Sequence, residues 1–290
     1  EVRNDSKHKQ LKKERNKMKH GKRKAIKIAV YNNKGGVGKS TFTVNLAHAL
    51  SSGVLGTQYK VCVIDNDGQA NASMVLTGLT EDEIADKFDN TIFDMMVDED
   101  VTARECVSKS LFDNIDVICS TDDHSDTPDA IASYVDNTRI MKEKLTSMED
   151  DYDFIIIDCA PTRDRNVYNA LFAADVVLSP LETQMFSQVG LRNLLGQVAK
   201  VNKKRDNALL HYVFLSKVDN RQKVSNIAVK KHLKELLEDD FLNDYISMLS
   251  LYSKSFEEGK TAINYTDDKG KIEIINLTKT ILNKIDEELI

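Results

Sequence analysis

Short runs of β-branched and aliphatic residues recur along this chain, and most give way to an amphipathic stretch. Ile26-Lys27-Ile28-Ala29-Val30-Tyr31 is the first, and it stops at a glycine-rich turn. Lys60–Ile64, Ile115–Cys119, Phe154–Ile157, Val176–Pro180 and Leu210–Leu215 repeat the pattern and predict strands. Apolar residues at helical spacing predict a helix from about Lys39 to Leu50, and amphipathic stretches cover roughly 125–148, 165–173, 186–204, 222–238 and 272–288. Phe154-Ile155-Ile156-Ile157 contains no polar position. A strand with one wet face alternates, so an uninterrupted apolar run fits a parallel sheet covered on both sides. The alternation predicts an α/β fold: a doubly wound, mostly parallel sheet with helices on both faces and right-handed crossovers. No internal repeat is visible, and the Asp- and Glu-rich stretch 78–113 reads as short helices and loops without chemistry of its own.

Composition narrows the class. The 290 residues suffice for one large α/β domain or two small ones, and 41% hydrophobic, 30% charged and three prolines describe an ordinary globular chain. There is no apolar run of membrane-spanning length and no secretory signal, so a cytoplasmic location is the expectation. Cys62, Cys106, Cys119 and Cys159 form no Cys-x-x-Cys pair, and three of them sit in or beside apolar runs, which predicts buried, reduced thiols. Charge is uneven: residues 1–24 hold eleven Lys and Arg against three Asp and Glu, a local +8 in a chain of net charge −6. Such a basic extension on an acidic body suits contact with a polyanion, nucleic acid first; a solvated tail is the other reading.

The strongest chemical signal follows the first strand. Gly35, Gly36 and Gly38 permit a tight turn, and Lys39 and Ser40 open the helix. Backbone N–H groups and the helix dipole then converge on phosphate, with Lys39 reaching the β- and γ-oxygens and the Ser40 hydroxyl on Mg²⁺. The standard motif has a further glycine where this chain has Asn33, followed by a second lysine, Lys34. The string Lys34-Gly35-Gly36-Val37-Gly38-Lys39-Ser40-Thr41 resembles the deviant Walker A motif of the ParA/MinD/Soj family of P-loop ATPases. The resemblance implies that all eight residues bind nucleotide, and that Lys34 reaches across a two-fold interface to phosphates held by a partner subunit. Its logic is that of an arginine finger, with positive charge supplied only when a dimer closes.

Two carboxylate segments extend the likeness. Asp65-Asn66-Asp67-Gly68-Gln69-Ala70-Asn71-Ala72-Ser73 is similar to the family's switch I, with Gly68 where proline is usual. The resemblance assigns Asp67 to positioning and activating the attacking water and puts Asp65 nearer the metal. Tyr152-Asp153-Phe154-Ile155-Ile156-Ile157-Asp158-Cys159-Ala160-Pro161 is an apolar strand ending in a carboxylate, a Walker B arrangement that makes Asp158 the magnesium ligand. Catalysis is thus expected from Lys34, Lys39 and Asp67, and metal binding from Ser40 and Asp158. Weaker echoes follow in 177–191, 214–221 and 258–260, so the likeness covers an ATPase domain at 25–290 behind the basic extension at 1–24.

What the resemblance implies about function is an ATP-dependent homodimer that binds DNA without sequence preference. A centromere-binding, ParB-like partner stimulates hydrolysis and release, in the service of plasmid or chromosome partitioning on the nucleoid. Arg221, Lys223, Lys230, Lys231 and Lys254 are the leading DNA-contact candidates, with Lys200, Lys203, Lys204 and Arg205 behind them; solvated helix faces are the alternative for each. Other tasks stay open: a nucleotide-dependent scaffold or positioning ATPase for another cargo, or a MinD-like membrane-associated regulator. The last would want a basic amphipathic C-terminal helix, and this chain ends acidic at Lys284-Ile285-Asp286-Glu287-Glu288. The cysteine spacing does not support a bridged iron-sulfur cluster, and Tyr245, Tyr252 and Tyr265 do not form the tail of a tyrosine-kinase relative.

Overall fold

A computed structural model describes residues 24–183, 187–266 and 268–289. The basic extension, apart from Lys24, lies outside the described residues. Eight strands form one sheet in the order β3-β4-β2-β5-β1-β6-β7-β8. They are β1 (Ile26–Val30), β2 (Val61–Asn66), β3 (Val107–Lys109), β4 (Ile115–Ile118), β5 (Phe154–Cys159), β6 (Val176–Glu182), β7 (Leu210–Val218) and β8 (Phe241–Ser247). All neighbours are parallel except β3, which runs antiparallel to β4 at one edge. The mostly parallel, two-faced sheet expected from the uninterrupted apolar strands is present.

Alternate residues of the central strands feed two separate cores. Ala29, Tyr31, Ile155 and Ile157 belong to one cluster, with Met95, Leu145, Val167 and Leu194. Ile28, Val30 and Ile156 belong to the other, with Phe42, Leu46, Ile274, Leu277 and Ile281. Side chains on a strand point alternately to either face, so both faces must be covered by helices. Emptying one such position, as in Ile156→Ala, would cost about 2–5 kcal/mol through lost transfer energy and a residual cavity. The C-terminal helix Lys269–Leu289 docks through Ile274, Leu277, Ile281 and Ile285, a helical-period stripe.

Three expectations need correction. The stretch 125–148 is not one helix: it divides into a 3-10 turn (Asp122–Asp126) and short helices at Thr127–Ala130 and Ile140–Leu145. Asn169 explains the break, because its side chain donates to Asn137 O at 2.8 Å and accepts from Met141 N at 3.2 Å, drawing both backbone groups out of a continuous helix. Strand β8 and the helix at Ser250–Glu257 were absent from the periodicity. Strands β2, β5 and β6 also run further than their apolar runs, to Asn66, Cys159 and Glu182. Pro180 is tolerated inside β6 because β1 has already ended there: their pairing stops at Val30 and Leu178.

This topology fixes the site. The chain leaves β1 towards β2 on one side of the sheet, whereas β6 leads to β7 on the other. Neighbouring strands whose connections diverge leave a crevice at their carboxyl ends, where ligands of open α/β sheets bind. The glycine-rich loop fills that crevice.

Candidate nucleotide-binding site

The loop between β1 and α1 (Lys39–Ser51) is tied to β6 and β7. Asn32 donates from Nδ2 to Pro180 O at 2.8 Å and accepts at Oδ1 from Lys34 N at 3.0 Å. Ser216, on β7, donates to Val37 O at 2.6 Å. Gly36 and Gly38 take φ of 74° and 90°, values at which a side chain is strained. Gly38 caps α1 without a side-chain hydrogen bond, so the first-turn N–H groups remain for a ligand. They face a cavity of about 340 Å³ walled by Gly35, Gly36, Gly38, Lys39, Ser40 and Thr41, with Asp67, Gln69 and Asn71 opposite. Val37 is buried and instead lines an adjoining cavity of about 280 Å³.

Lys39 is 6% exposed and reaches the carbonyl of Lys34 at 3.4 Å. Burial lowers its ammonium pKa, and the nearby Asp158 and Asp67 carboxylates oppose that. Asp158, the penultimate residue of β5, is buried in the interior. Thr43, one turn into α1, donates its hydroxyl to Asp158 Oδ1 at 2.9 Å, while Oδ2 is buried without a partner. Burial raises the Asp158 carboxyl pKa, offset in part by Ser40, Lys39 and Thr43.

Asp65 stands in register beside Asp158 on the adjacent strand. It also has a structural task. Its Oδ2 accepts from Ser73 N at 2.7 Å and Ser73 Oγ at 2.8 Å, so it anchors α2 (Asn71–Thr77) from below. Burial first, and then the Asp158 charge, push its pKa up. Asp67 lies past the strand end, half-buried in the cavity wall, and its Oδ1 accepts from Gln69 N at 3.1 Å. Lys39, Ser40, Asp67 and Asp158 are therefore brought together. Lys34 is half-buried at the base of the loop and is not among the residues lining the cavity.

The basic candidates are more dispersed. Arg221 lies 2.8 Å from Asp219, Lys231 3.8 Å from Glu235 and Lys254 3.7 Å from Glu258. Lys230 sits over the Tyr245 ring at 3.6 Å from its centroid. Lys223 is exposed at the start of the helix Lys223–Leu237, while Lys254 belongs to the separate helix Ser250–Glu257. Arg205 leaves the candidate set: it donates to Leu171 O and Phe172 O at 2.9 and 2.6 Å and is largely withdrawn from solvent. All four cysteines are buried and free of disulfides.

Two site residues escaped the sequence reading. Thr43 looks like an ordinary helix-interior threonine, and only the fold shows what its hydroxyl meets. Lys217 has a left-handed φ of 50° at the end of β7 and lines both cavities, which also share Gly38 and Thr41. Strained backbone of this kind concentrates at functional sites.

A family profile described as an AAA domain matches residues 25–211. The sporulation initiation inhibitor protein Soj of Bacillus subtilis is 30% identical over 239 residues, spanning 82% of this chain and 90% of Soj. Among solved structures, the cobyrinic acid a,c-diamide synthase of Mycobacterium smegmatis, with an ATP analogue and magnesium, aligns with a TM-score of 0.76 at 21% identity over 89% of this chain and 94% of that one. A plasmid partition protein of Borrelia burgdorferi bound to AMPPNP gives a TM-score of 0.73 at 22% identity, over 90% and 100% of the two chains. At such identity these likenesses show the fold alone. Proteins of different description share it, so the architecture does not select the task.

Proposed function

Because the chain belongs to the ParA/MinD/Soj family of P-loop ATPases, we propose that it is a partition ATPase: it hydrolyses ATP in the cavity above α1, and its ATP-bound homodimer holds DNA without sequence preference. The observation that carries this reading is a cavity lined by Lys39, Ser40 and Asp67, with the buried carboxyl of Asp158 close to Lys39 and its Oδ2 unpaired. An orphaned buried carboxylate oxygen is costly unless something positive meets it. Magnesium is a hard cation that takes oxygen ligands, so Ser40 and Asp158 fit it, and when bound it neutralises charge on the β- and γ-phosphate oxygens.

The chain's own groups supply the rest. Gly35, Gly36, Val37, Gly38 and Thr41 bring backbone N–H groups to the phosphates, and Lys39 pairs with their oxygens. A triphosphate returns to Lys39 the charged partners that burial withholds. Asp67 accepts a hydrogen bond from the attacking water and aims it at the γ-phosphorus; the bond to the bridging oxygen breaks and ADP leaves. Lys34 acts on the partner subunit's nucleotide, so turnover depends on the dimer and is slow until a ParB-like, centromere-binding partner stimulates it.

DNA contact falls to the basic extension and to exposed cations such as Lys223, Lys231 and Lys254. Among the described residues no helix is long and apolar enough to cross a membrane. The test is a DNA-binding titration with ATP, with ADP and without nucleotide, at two salt concentrations. Binding should require ATP and weaken steeply with salt, because neutralised phosphates release counterions. Equal binding in all three nucleotide states would overturn the reading.

A further inference from the structure

Asp67 is bracketed by two residues that the hydrolysis chemistry does not use. On one side stands Asn66, the last residue of β2, and every side-chain polar atom it has is taken. His124 Nε2 lies 2.9 Å from Asn66 Oδ1, and since that oxygen can only accept, Nε2 carries the proton. The other ring nitrogen, Nδ1, then accepts from the Thr127 hydroxyl at 3.0 Å. Asn66 Nδ2 donates to Asn166 O at 3.1 Å, and Asn166 Nδ2 donates to His124 O at 2.9 Å, closing a ring. Three elements meet there: the end of β2, the 3-10 turn Asp122–Asp126 and the start of the helix Arg165–Ala173. His124 has no solvent exposure. The Asn66 carbonyl also accepts from Ala160 N, just beyond β5, at 3.2 Å.

On the other side stands Gly68, where the family usually has proline. It is buried, and its φ is not among the left-handed values, so backbone freedom does not explain the glycine. Close approach does. A Cβ placed at residue 68 would lie 2.2 Å from Ser125 Oγ and 3.3 Å from Ser125 N. The turn that carries His124 thus presses Ser125 against the switch backbone, in space that any side chain would occupy.

We propose that the Asp122–Asp126 turn is a clamp on the switch loop, with His124 and Ser125 as positioning residues for Asp67, and that Gly68 is what allows the clamp to close. The inference rests on the reading of Asp67 as the residue that aims the attacking water. Nucleotide binding is made on the other wall of the cavity, so loosening the clamp should alter the chemical step and leave affinity alone.

The experiment is ATP turnover by wild type, Gly68→Ala and Gly68→Ala/Ser125→Gly, with a thermal melt of each. Gly68→Ala is expected to lower kcat ~10-fold or more, since a displacement of about 1 Å can cost 10²-fold, while KM stays within about twofold. Removing the Ser125 side chain should restore most of the lost kcat. A wild-type kcat in Gly68→Ala, or a double variant as slow as the single one, overturns the clamp. His124→Gln tests the Asn66 side by the same split: kcat falls at constant KM, and an unchanged kcat counts against the proposal. Asp67→Ala, run beside them, separates the two levels. Full turnover in Asp67→Ala retires the reading of Asp67 itself, and with it the clamp; slow Asp67→Ala beside a normal Gly68→Ala retires the clamp alone.

Discussion

The hydroxyl of Thr43 donates to Asp158 Oδ1 at 2.9 Å and thereby leaves Oδ2 as the one oxygen of that buried carboxyl with no partner. A helix that begins at the phosphate loop is in this way fastened to the strand that carries Asp158. The contact sets the orientation of the Asp158 carboxyl.

Thr43→Val removes that donor while keeping the side-chain shape. Loss of a group that orients a ligating carboxylate costs about 10–100-fold in metal affinity, and the unpaired Oδ1 costs about 1–3 kcal/mol of stability. A magnesium titration of turnover at saturating ATP should shift to higher concentration by that factor. An unchanged midpoint would mean that Thr43 does not govern the metal site.

Lys34→Ala addresses the second lysine. Lys34 does not line the cavity within its own subunit, and its proposed role is toward the partner subunit's nucleotide. The variant should bind ATP with an affinity close to wild type, run as a monomer on sizing chromatography in ATP and magnesium, and lose turnover. A dimer of normal size and activity would remove Lys34 from the interface.

How much of this could be read beforehand depended on whether the cause was local. The turn at Gly36 and Gly38, the helix opened by Lys39 and Ser40, and the apolar run ending at Asp158 announce themselves, because residue type and spacing alone produce them. Strand β8 does not: Asn243 and Asp244 interrupt its apolar residues, and it takes its place only by pairing with β7. The ring around Asn66 was equally hidden. His124 and Asn166 lie far from it in sequence, and an isolated histidine gives no sign of which backbone it will hold. Gly68 was visible as a departure from the family, but its cause, Ser125, is a tertiary contact. The bonds that Ser73 gives to Asp65 were hidden as well, because only the fold brings the two together.

Stability should respond to pH through His124. Burial lowers its pKa from 6.5 to about 3 in the folded chain. Below pH 6.5 the unfolded chain takes up a proton that the folded one refuses, so this residue's contribution is intact above 6.5 and is lost as pH falls towards 3. The slope is about 1.4 kcal/mol per pH unit for one proton. Denaturant melts between pH 6 and 4 should therefore show a shallower loss in His124→Gln than in wild type, by up to that amount. Identical slopes would mean that the ring is already charged, or solvated, in the folded protein.

The central claim is that one cavity binds ATP and, through Asp67, hydrolyses it. Its most direct test measures ATP affinity and single-turnover hydrolysis side by side in wild type and Asp67→Ala. The account predicts affinity within about twofold of wild type and hydrolysis slower by ~10²-fold or more, the usual worth of a positioned group acting on a proton. Hydrolysis at the wild-type rate in Asp67→Ala would contradict it.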